Sequence, residues 1–261
     1  MKNIFEPMTL NGLQLKNRLW RSATWLALAD DDGNLTDPIF ETYRDLAAGG
    51  VAAIITEITT VSPHDALLDG IVQFHSDRFI AQHKRFTQMI HEHDCRVFMQ
   101  TAIVNPRYER VDEVIPLFRD AAIRAKAAGY DGIQLHAAHG FFLSRFIVDD
   151  HGKILGDILD AIRAELGRDF PIIAKINCDD FTDGGLTITG CIEACRVMVR
   201  HGIDAIEISG NYTSREARGS QRRIFPKVCG NGQRTRRYSA HIGRRASFGR
   251  GDESVAQQDG H

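Results

Sequence analysis

Short apolar segments alternate along this chain with segments of helical periodicity, and this alternation restricts the fold more than any other feature. The apolar segments predict buried strands at 51–61, 96–103, 131–140, 171–178 and 204–210. The intervening segments predict helices at 38–50, about 79–93, 113–128, about 154–166 and 188–201. Strands that alternate with helices through short connections predict a parallel sheet with right-handed crossovers.

The count and surroundings of the strands favour a barrel. A further short strand at 18–24 brings the number of strands before residue 211 to six, and no early strand runs into the G-x-G-x-x-G of a doubly wound sheet. Residues 8–16 alternate around Asn11-Gly12, a dipeptide typical of tight hairpin turns. We therefore predict an α/β fold of the (β/α)8 TIM-barrel type, truncated after about six strands, with an N-terminal β-hairpin. Its first helix should have Asp37 as N-cap and Pro38 at its first position.

Composition excludes several classes of protein. The 32 basic and 34 acidic residues nearly balance, which argues against a dedicated nucleic-acid or membrane-surface protein. No run reaches the about 18 apolar residues of a membrane-spanning helix, and the first residues lack the features of a signal peptide. The five cysteines are an odd number, so we expect reduced thiols and a cytoplasmic protein. Cys191 and Cys195 could share a helix face, but two ligands do not make a metal site.

Polar residues occur where the predicted strands end, and in a (β/α)8 barrel those ends hold the active site. They are Ser22, Thr24, Glu57, Gln100, His136, His139, Lys175, Asn177, Glu207 and Ser209. With the residues around them they form five segments, KNRLWRSATW (16–25), GGVAAIITEITTVSP (49–63), VFMQ (97–100), AKAAGYDGIQLHAAHGFFLSRF (125–146) and AKINCDDFTDGGLT (174–187). In order and spacing these segments resemble the old yellow enzyme family of FMN-dependent NADH:flavin oxidoreductases and ene-reductases, over roughly residues 1–227.

The resemblance implies FMN as the cofactor, NAD(P)H as the reductant, and a small molecule with an activated alkene or similar acceptor as the substrate. The residues it places around the flavin are Ser22, Ala23, Thr24, Ile58, Gln100 and Lys175. The amide of Gln100 can both donate and accept hydrogen bonds, which matches the flavin's pyrimidine edge. Lys175 stands where the family usually has arginine, so it supplies the charge without the planar two-pronged contact.

His136 and His139 resemble the family's catalytic pair, which binds the substrate oxygen above the flavin. Two imidazole N–H donors directed at one oxygen would polarise an enone. Two alternatives stay open: the histidines could face different ways, or form part of a zinc site whose third ligand has no clear spacing. Lys175 also admits a Schiff-base lyase, Glu57 could merely cap a strand end, and the whole chain could be an inactive remnant of the family.

Three departures from the family pattern bear on activity. Many relatives have a tyrosine, the proton donor to the substrate, where this chain has Phe141. The long loop that relatives carry after the segment ending at Phe146 is missing, so the pocket should be more exposed. The seventh and eighth strands, whose glycine-rich ends and arginine hold the FMN phosphate in the family, have no counterpart in residues 228–261.

The resemblance divides the chain into an incomplete FMN-binding barrel domain, 1–227, and a disordered tail, 228–261. The tail has six arginines, no lysine and six glycines, and lacks any regular period. A basic tail could bind RNA, but it lacks interleaved aromatic residues, so we expect no nucleic-acid partner. Codons for the region after Phe225 can be chosen that, read one nucleotide later, encode I-P-L-I-L-V followed by G-G-H-R-S. We therefore predict an out-of-frame tail and weak or absent FMN binding, and open sheet edges that allow a homo-oligomer to form.

Overall fold

The computed structural model of the chain describes residues 3–65, 69–104 and 111–210. The N-terminal hairpin consists of strands β1 (Met8–Leu10) and β2 (Leu13–Leu15) and is confirmed as predicted. It turns at Asn11 and Gly12, whose φ values of 44° and 79° are those of a tight left-handed turn. The side-chain amide of Asn11 donates to the Arg168 carbonyl at 2.6 Å, which attaches the hairpin to the amino end of the sheet.

The following strands form one parallel sheet. They are β3 (Trp20–Arg21), β4 (Ala53–Thr60), β5 (Val72–Gln73), β6 (Arg96–Ala102), β7 (Gly132–Ala137), β8 (Ile172–Asn177) and β9 (Ala205–Ser209). Their order is β3-β4-β6-β7-β8-β9, and the short β5 pairs with the end of β4. Each strand on this path lies beside the next one along the chain, as successive units of a (β/α)8 barrel do, which agrees with the prediction.

Helices cover the sheet between these strands. They are α1 (Asp37–Ala48), α2 (Ile80–His91) with a preceding 3-10 turn at Asp77–Phe79, α3 (Val111–Ala127), α4 (Phe142–Asp150), α5 (Lys153–Leu166) and α6 (Ile188–Arg200). The N-cap of α1 is Thr36, so the predicted cap at Asp37 is wrong by one residue. Asp37 instead places its negative charge in the first turn, near the positive end of the helix dipole.

The core lies between the strands and their helices, and the middle strands are buried on both faces. Close packing explains one glycine: a Cβ at Gly132 would overlap the Phe98 ring and the Pro171 carbonyl oxygen. Among the described helices, none is long and apolar enough to span a membrane.

Candidate active site

Polar side chains from four strands meet inside the sheet and bond to one another. Gln100 Nε2 on β6 donates to Gln134 Oε1 on β7 at 2.7 Å. Gln134 Nε2 in turn donates to Glu207 Oε2 on β9 at 2.8 Å. Gln100 and Gln134 are buried, and strand register places them side by side. A chain of hydrogen bonds therefore crosses the sheet from β6 to β9.

Glu207 joins this chain to the residues that follow β3. Its Oε1 accepts from Ser22 Oγ at 2.5 Å and lies 3.2 Å from Lys175 Nζ, which also donates to Ser22 Oγ at 3.2 Å. Burial alone would raise the pKa of Glu207. The Lys175 charge and the hydrogen bonds from Ser22, Gln134 and Lys175 outweigh that effect, so the pKa is lowered and the carboxylate stays ionised. We call Ser22, Gln100, Gln134, Lys175 and Glu207 the polar network.

The two predicted catalytic histidines lie together beside this network. The rings of His136 and His139 have centroids 5.2 Å apart, and Phe141 packs edge-on against His136 at 4.7 Å. Burial, together with His139 and Lys175, lowers the pKa of His136 well below its usual value. Burial, reinforced by Lys175 and opposed by Glu207, lowers the pKa of His139 to about 4. Both rings are therefore neutral near pH 7.

The position of His139 is fixed from the neighbouring strands. Its backbone φ of 61° is left-handed, which is uncommon for a residue other than glycine. Its backbone N–H donates to Asn177 Oδ1 at 3.3 Å, and its Nε2 lies 2.9 Å from Ser209 Oγ. Asn177 is itself held by Asp180, which accepts from its Nδ2 at 2.7 Å. The loop after β7 thus depends on residues at the ends of β8 and β9.

The remaining predicted flavin residues occupy the rim. Ile58 is buried in a small apolar cluster with Ile71 and Ala102, against which Phe141 packs. Ala23 is half-buried, whereas Thr24 is exposed and its hydroxyl makes only a long contact of 3.4 Å with the Ser22 carbonyl. The structure therefore brings Ser22, Gln100 and Lys175 into one network and leaves Thr24 at the edge.

Glu57 does not join the polar network. Its Oε2 accepts from the Leu26 backbone N–H at 2.8 Å, and the side chain lines a small cavity under α1 and α2. Burial raises the pKa of Glu57 to about 7, against the lowering effect of the Leu26 and Ala27 N–H groups. Its interpretation as a mere strand-end cap is therefore too limited, since it holds the loop that follows β3.

Sequence reasoning assigned no role to Gln134, the central member of the network. The signal was available, because Gln134 lies two residues before His136 and alternate strand residues share a face. Glu207 was noted only as a polar strand end. Among the described residues no group of three or more His, Cys, Asp or Glu side chains is arranged to hold a metal ion.

Comparison with known proteins decides the family. The model of the NADH:flavin oxidoreductase / NADH oxidase family matches residues 3–109 and 107–241. The chain belongs to this family. It is 27% identical over 249 residues to the NADPH dehydrogenase of Bacillus subtilis, covering 80% of this chain and 73% of that protein. It is 25% identical over 258 residues to the NADH oxidase of Thermoanaerobacter brockii, covering 81% of this chain and 40% of that protein.

Solved structures show the same fold. The old yellow enzyme homologue of Zymomonas mobilis superposes with a TM-score of 0.75 at 16% identity, covering 93% of this chain and 83% of that one. Old yellow enzyme from Pichia sp. AKU4542 gives 0.71 at 18% identity, with the same coverage. The predicted TIM-barrel-type fold and the resemblance to old yellow enzymes are confirmed. Family membership supports an NAD(P)H-linked flavin oxidoreductase.

Proposed function

We propose that this chain binds FMN against the polar network and uses NAD(P)H to reduce an activated alkene or related small-molecule acceptor. The observation that carries the proposal is the position of Lys175. Its ammonium contacts Ser22 and Glu207, and strand register places it beside His136. Lys175 thus links Ser22, assigned to the cofactor, with His136, assigned to the substrate.

The donor groups of the network suit the pyrimidine end of a flavin. An ammonium group has three N–H donors, and two of those of Lys175 are used by Ser22 and Glu207, which leaves one for a ligand. Gln100 offers an amide from β6, which β7 separates from the Lys175 strand, and the half-buried Ala23 offers backbone. Ser22, Ala23, Thr24, Ile58, Gln100 and Lys175 would hold the isoalloxazine ring. The bound flavin would supply hydride transfer.

The histidines would bind the acceptor oxygen. His136 Nδ1 accepts from the Ala138 backbone N–H at 3.3 Å, so the neutral ring carries its proton on Nε2 and can donate there. His139 Nε2 lies 2.9 Å from Ser209 Oγ on β9, and if that hydroxyl donates to it, the proton of the neutral ring lies on Nδ1, which would be its donor. Neutral N–H donors polarise a carbonyl without introducing a buried charge that would require its own counter-ion.

Protonation of the substrate must use a group other than residue 141. Phe141 packs on the His136 ring and has no hydroxyl. We assign this proton to solvent water that reaches the pocket, because proton transfer through one water is an established alternative to a side-chain donor.

A Schiff-base lyase is a weaker candidate. Such chemistry requires an unprotonated lysine directed at the substrate. Here the nitrogen of Lys175 contacts Ser22 and the Glu207 carboxylate, an arrangement that suits an ammonium ion. Trapping of an aldehyde or ketone on Lys175 by borohydride would reverse this ranking.

Flavin titration of the purified chain tests the proposal directly. We expect FMN absorbance and fluorescence to change with a one-to-one end point, and anaerobic NADPH or NADH to bleach the bound flavin. A folded chain that leaves FMN free at all concentrations would contradict the proposal and favour an inactive remnant of the family. This titration also separates the two outcomes expected from the missing seventh and eighth strands: weak binding agrees with the proposal, whereas absent binding agrees with the inactive remnant.

A further inference from the structure

The segment from residue 22 to residue 30, which we call the flavin-side loop, is attached to the rest of the fold by separate hydrogen bonds along its length. It begins with Ser22 and exposes Trp25 and Leu28, which are 44% and 40% accessible. The Leu26 N–H donates to Glu57, and the Ala29 N–H donates to the Gly70 carbonyl at 3.1 Å. Ser22 is held in the polar network, and Thr36 Oγ1 donates to the Leu28 carbonyl at 2.7 Å, so the Glu57 carboxylate fixes the middle of the loop around Leu26.

Only one oxygen of that carboxylate has a partner within the described ranges. Oε2 accepts from Leu26, whereas Oε1 is buried without a hydrogen bond. The Glu57 side chain is only 2% exposed, so bulk water does not reach this oxygen. A buried oxygen without a partner is costly, by about 1–3 kcal/mol, and native proteins usually satisfy such an atom.

A second orphaned atom belongs to a residue that lines the same cavity. The cavity has a volume of about 10 Å³, and its lining includes Glu57, His83, Tyr43 and Tyr130. His83 Nδ1 lies 2.7 Å from the Tyr130 hydroxyl, while its Nε2 is buried without a partner. This volume is about the minimum for one water molecule, and a water needs at least two polar partners.

The side chains that face Glu57 across the cavity are uncharged, which allows His83 Nε2 to donate and Glu57 Oε1 to accept. Tyr43 faces the cavity from α1, His83 from α2, and Tyr130 from the turn before β7. Burial lowers the pKa of His83 to about 3 and raises the pKa of both tyrosines, so all three are uncharged at neutral pH. If the Tyr130 hydroxyl donates to Nδ1, the His83 proton lies on Nε2, which can then donate, while Glu57 Oε1 can accept.

We propose that one buried water molecule accepts from His83 Nε2 and donates to Glu57 Oε1, and that Glu57, fixed in this way, is the positioning residue of the flavin-side loop. The water would connect α2 to the loop through the back of β4. Ile58, the neighbour of Glu57 in sequence, lies in the apolar cluster beside Phe141. The same strand segment therefore supports the loop on one side and lines the candidate site on the other.

Amide hydrogen exchange of the full chain without flavin tests this inference. At about pH 8, above the Glu57 pKa of about 7, Glu57→Gln should speed exchange at Leu26 by about tenfold, because it removes a charge-assisted hydrogen bond. Val72→Ile adds a methylene to the cavity lining and should displace the water, so Leu26 exchange should rise severalfold. Asp131→Asn is the control: Asp131 accepts from the Val97 N–H at 2.8 Å near the opposite end of the sheet, and Leu26 should stay within about twofold.

The Val72→Ile variant separates a water-filled cavity from a dry one, and it decides the matter if Glu57→Gln does not fold. Unchanged or slower Leu26 exchange with a raised melting temperature would show a dry cavity and overturn the proposal. Unchanged exchange in folded Glu57→Gln would overturn it too. The claim that this loop lies beside a flavin rests on the proposed function, whereas the amide exchange rates of Leu26 do not depend on it. Wild-type protein that fails to bind FMN would contradict that function and leave this result standing.

Discussion

The two ends of the parallel sheet use charged side chains in opposite ways. At the amino ends of the strands, Arg163 donates to the carbonyls of Phe170 and Gly202 at 2.6 and 2.8 Å and pairs with Asp204 at 2.8 Å. Asp204 Oδ2 also accepts from the Ile172 N–H at 2.7 Å. These charged side chains bond largely to the backbone of loops and strands. Their hydrogen bonds therefore stabilise the connections between the strands.

At the carboxyl ends, side chains bond mainly to other side chains. Gln100, Gln134, Glu207 and Lys175 form such a series, and Ser22 completes it. Side-chain partners can exchange for ligand atoms without unfolding a loop, whereas backbone partners cannot. The contrast teaches that one end of the sheet is built for stability and the other retains polar groups for a ligand, as barrel enzymes divide these roles.

Breaking the ion pair at the amino end should have the largest effect on stability. Asp204→Asn leaves the largely buried Arg163 without its counter-charge, and we expect a loss of about 3 kcal/mol in the free energy of unfolding. Urea denaturation measures this loss. FMN affinity of the folded fraction should stay unchanged, and a large change in that affinity would contradict the separation of the two ends.

Removing the cation at the carboxyl end should weaken FMN binding, and it should also lower stability because the Lys175–Glu207 pair is about as buried as the Arg163–Asp204 pair. Lys175→Met deletes the charge beside Ser22 and Glu207, and we expect the FMN dissociation constant to rise about 30-fold, or about 2 kcal/mol. Fluorescence titration measures it. Lys175→Arg keeps the charge and should bind FMN within a few-fold of wild type. Equal affinities for the Met and Arg variants would show that the charge has no role.

The site should also make stability depend on pH. The pKa of His139 is lowered from 6.5 to about 4. Between pH 6.5 and pH 4, His139 is therefore largely protonated in the unfolded chain and largely neutral in the folded chain. The stabilising effect is present above pH 6.5 and is lost as the pH falls towards 4, by about 1 kcal/mol per pH unit in the partly exposed site. His139→Asn should flatten this part of the profile in urea titrations at pH 7.5, 5.5 and 4.5. An unaltered slope would mean that His139 titrates normally.

Local patterns were sufficient to predict much of the fold. The continuous apolar segments correspond to β4, β6, β7, β8 and β9. They could be recognised because strands covered on both faces are continuously apolar. Two elements were missed. Helix α4 follows β7 after a short loop and was treated as a connection, and β5 has only two residues, too few to show a period. Both depend on packing against sequence-distant neighbours.

The sequence predicted several residues of the candidate site but not the hydrogen bonds that join them. Strand ends and family resemblance identified Ser22, Gln100 and Lys175, which lie in one network. The bridging role of Gln134 and the ion pair of Lys175 with Glu207 depend on register between strands separated by helices, which no local pattern specifies. The predicted tail, 228–261, lies outside the described residues, so its out-of-frame origin stays a prediction that sequencing the encoding DNA would test.

The smallest effect should come from the hairpin at the amino end. A Cβ at Gly12 would meet no atom within 4 Å, but its φ of 79° is left-handed. Gly12→Ala should therefore cost about 1 kcal/mol through backbone strain alone, measured as a lower urea midpoint. Gly12→Asn should cost less, because asparagine tolerates this conformation. FMN affinity should not change in either variant. An equal loss for Ala and Asn would show that space, not φ, limits this turn, and a change in FMN affinity would show that the two ends of the barrel are coupled.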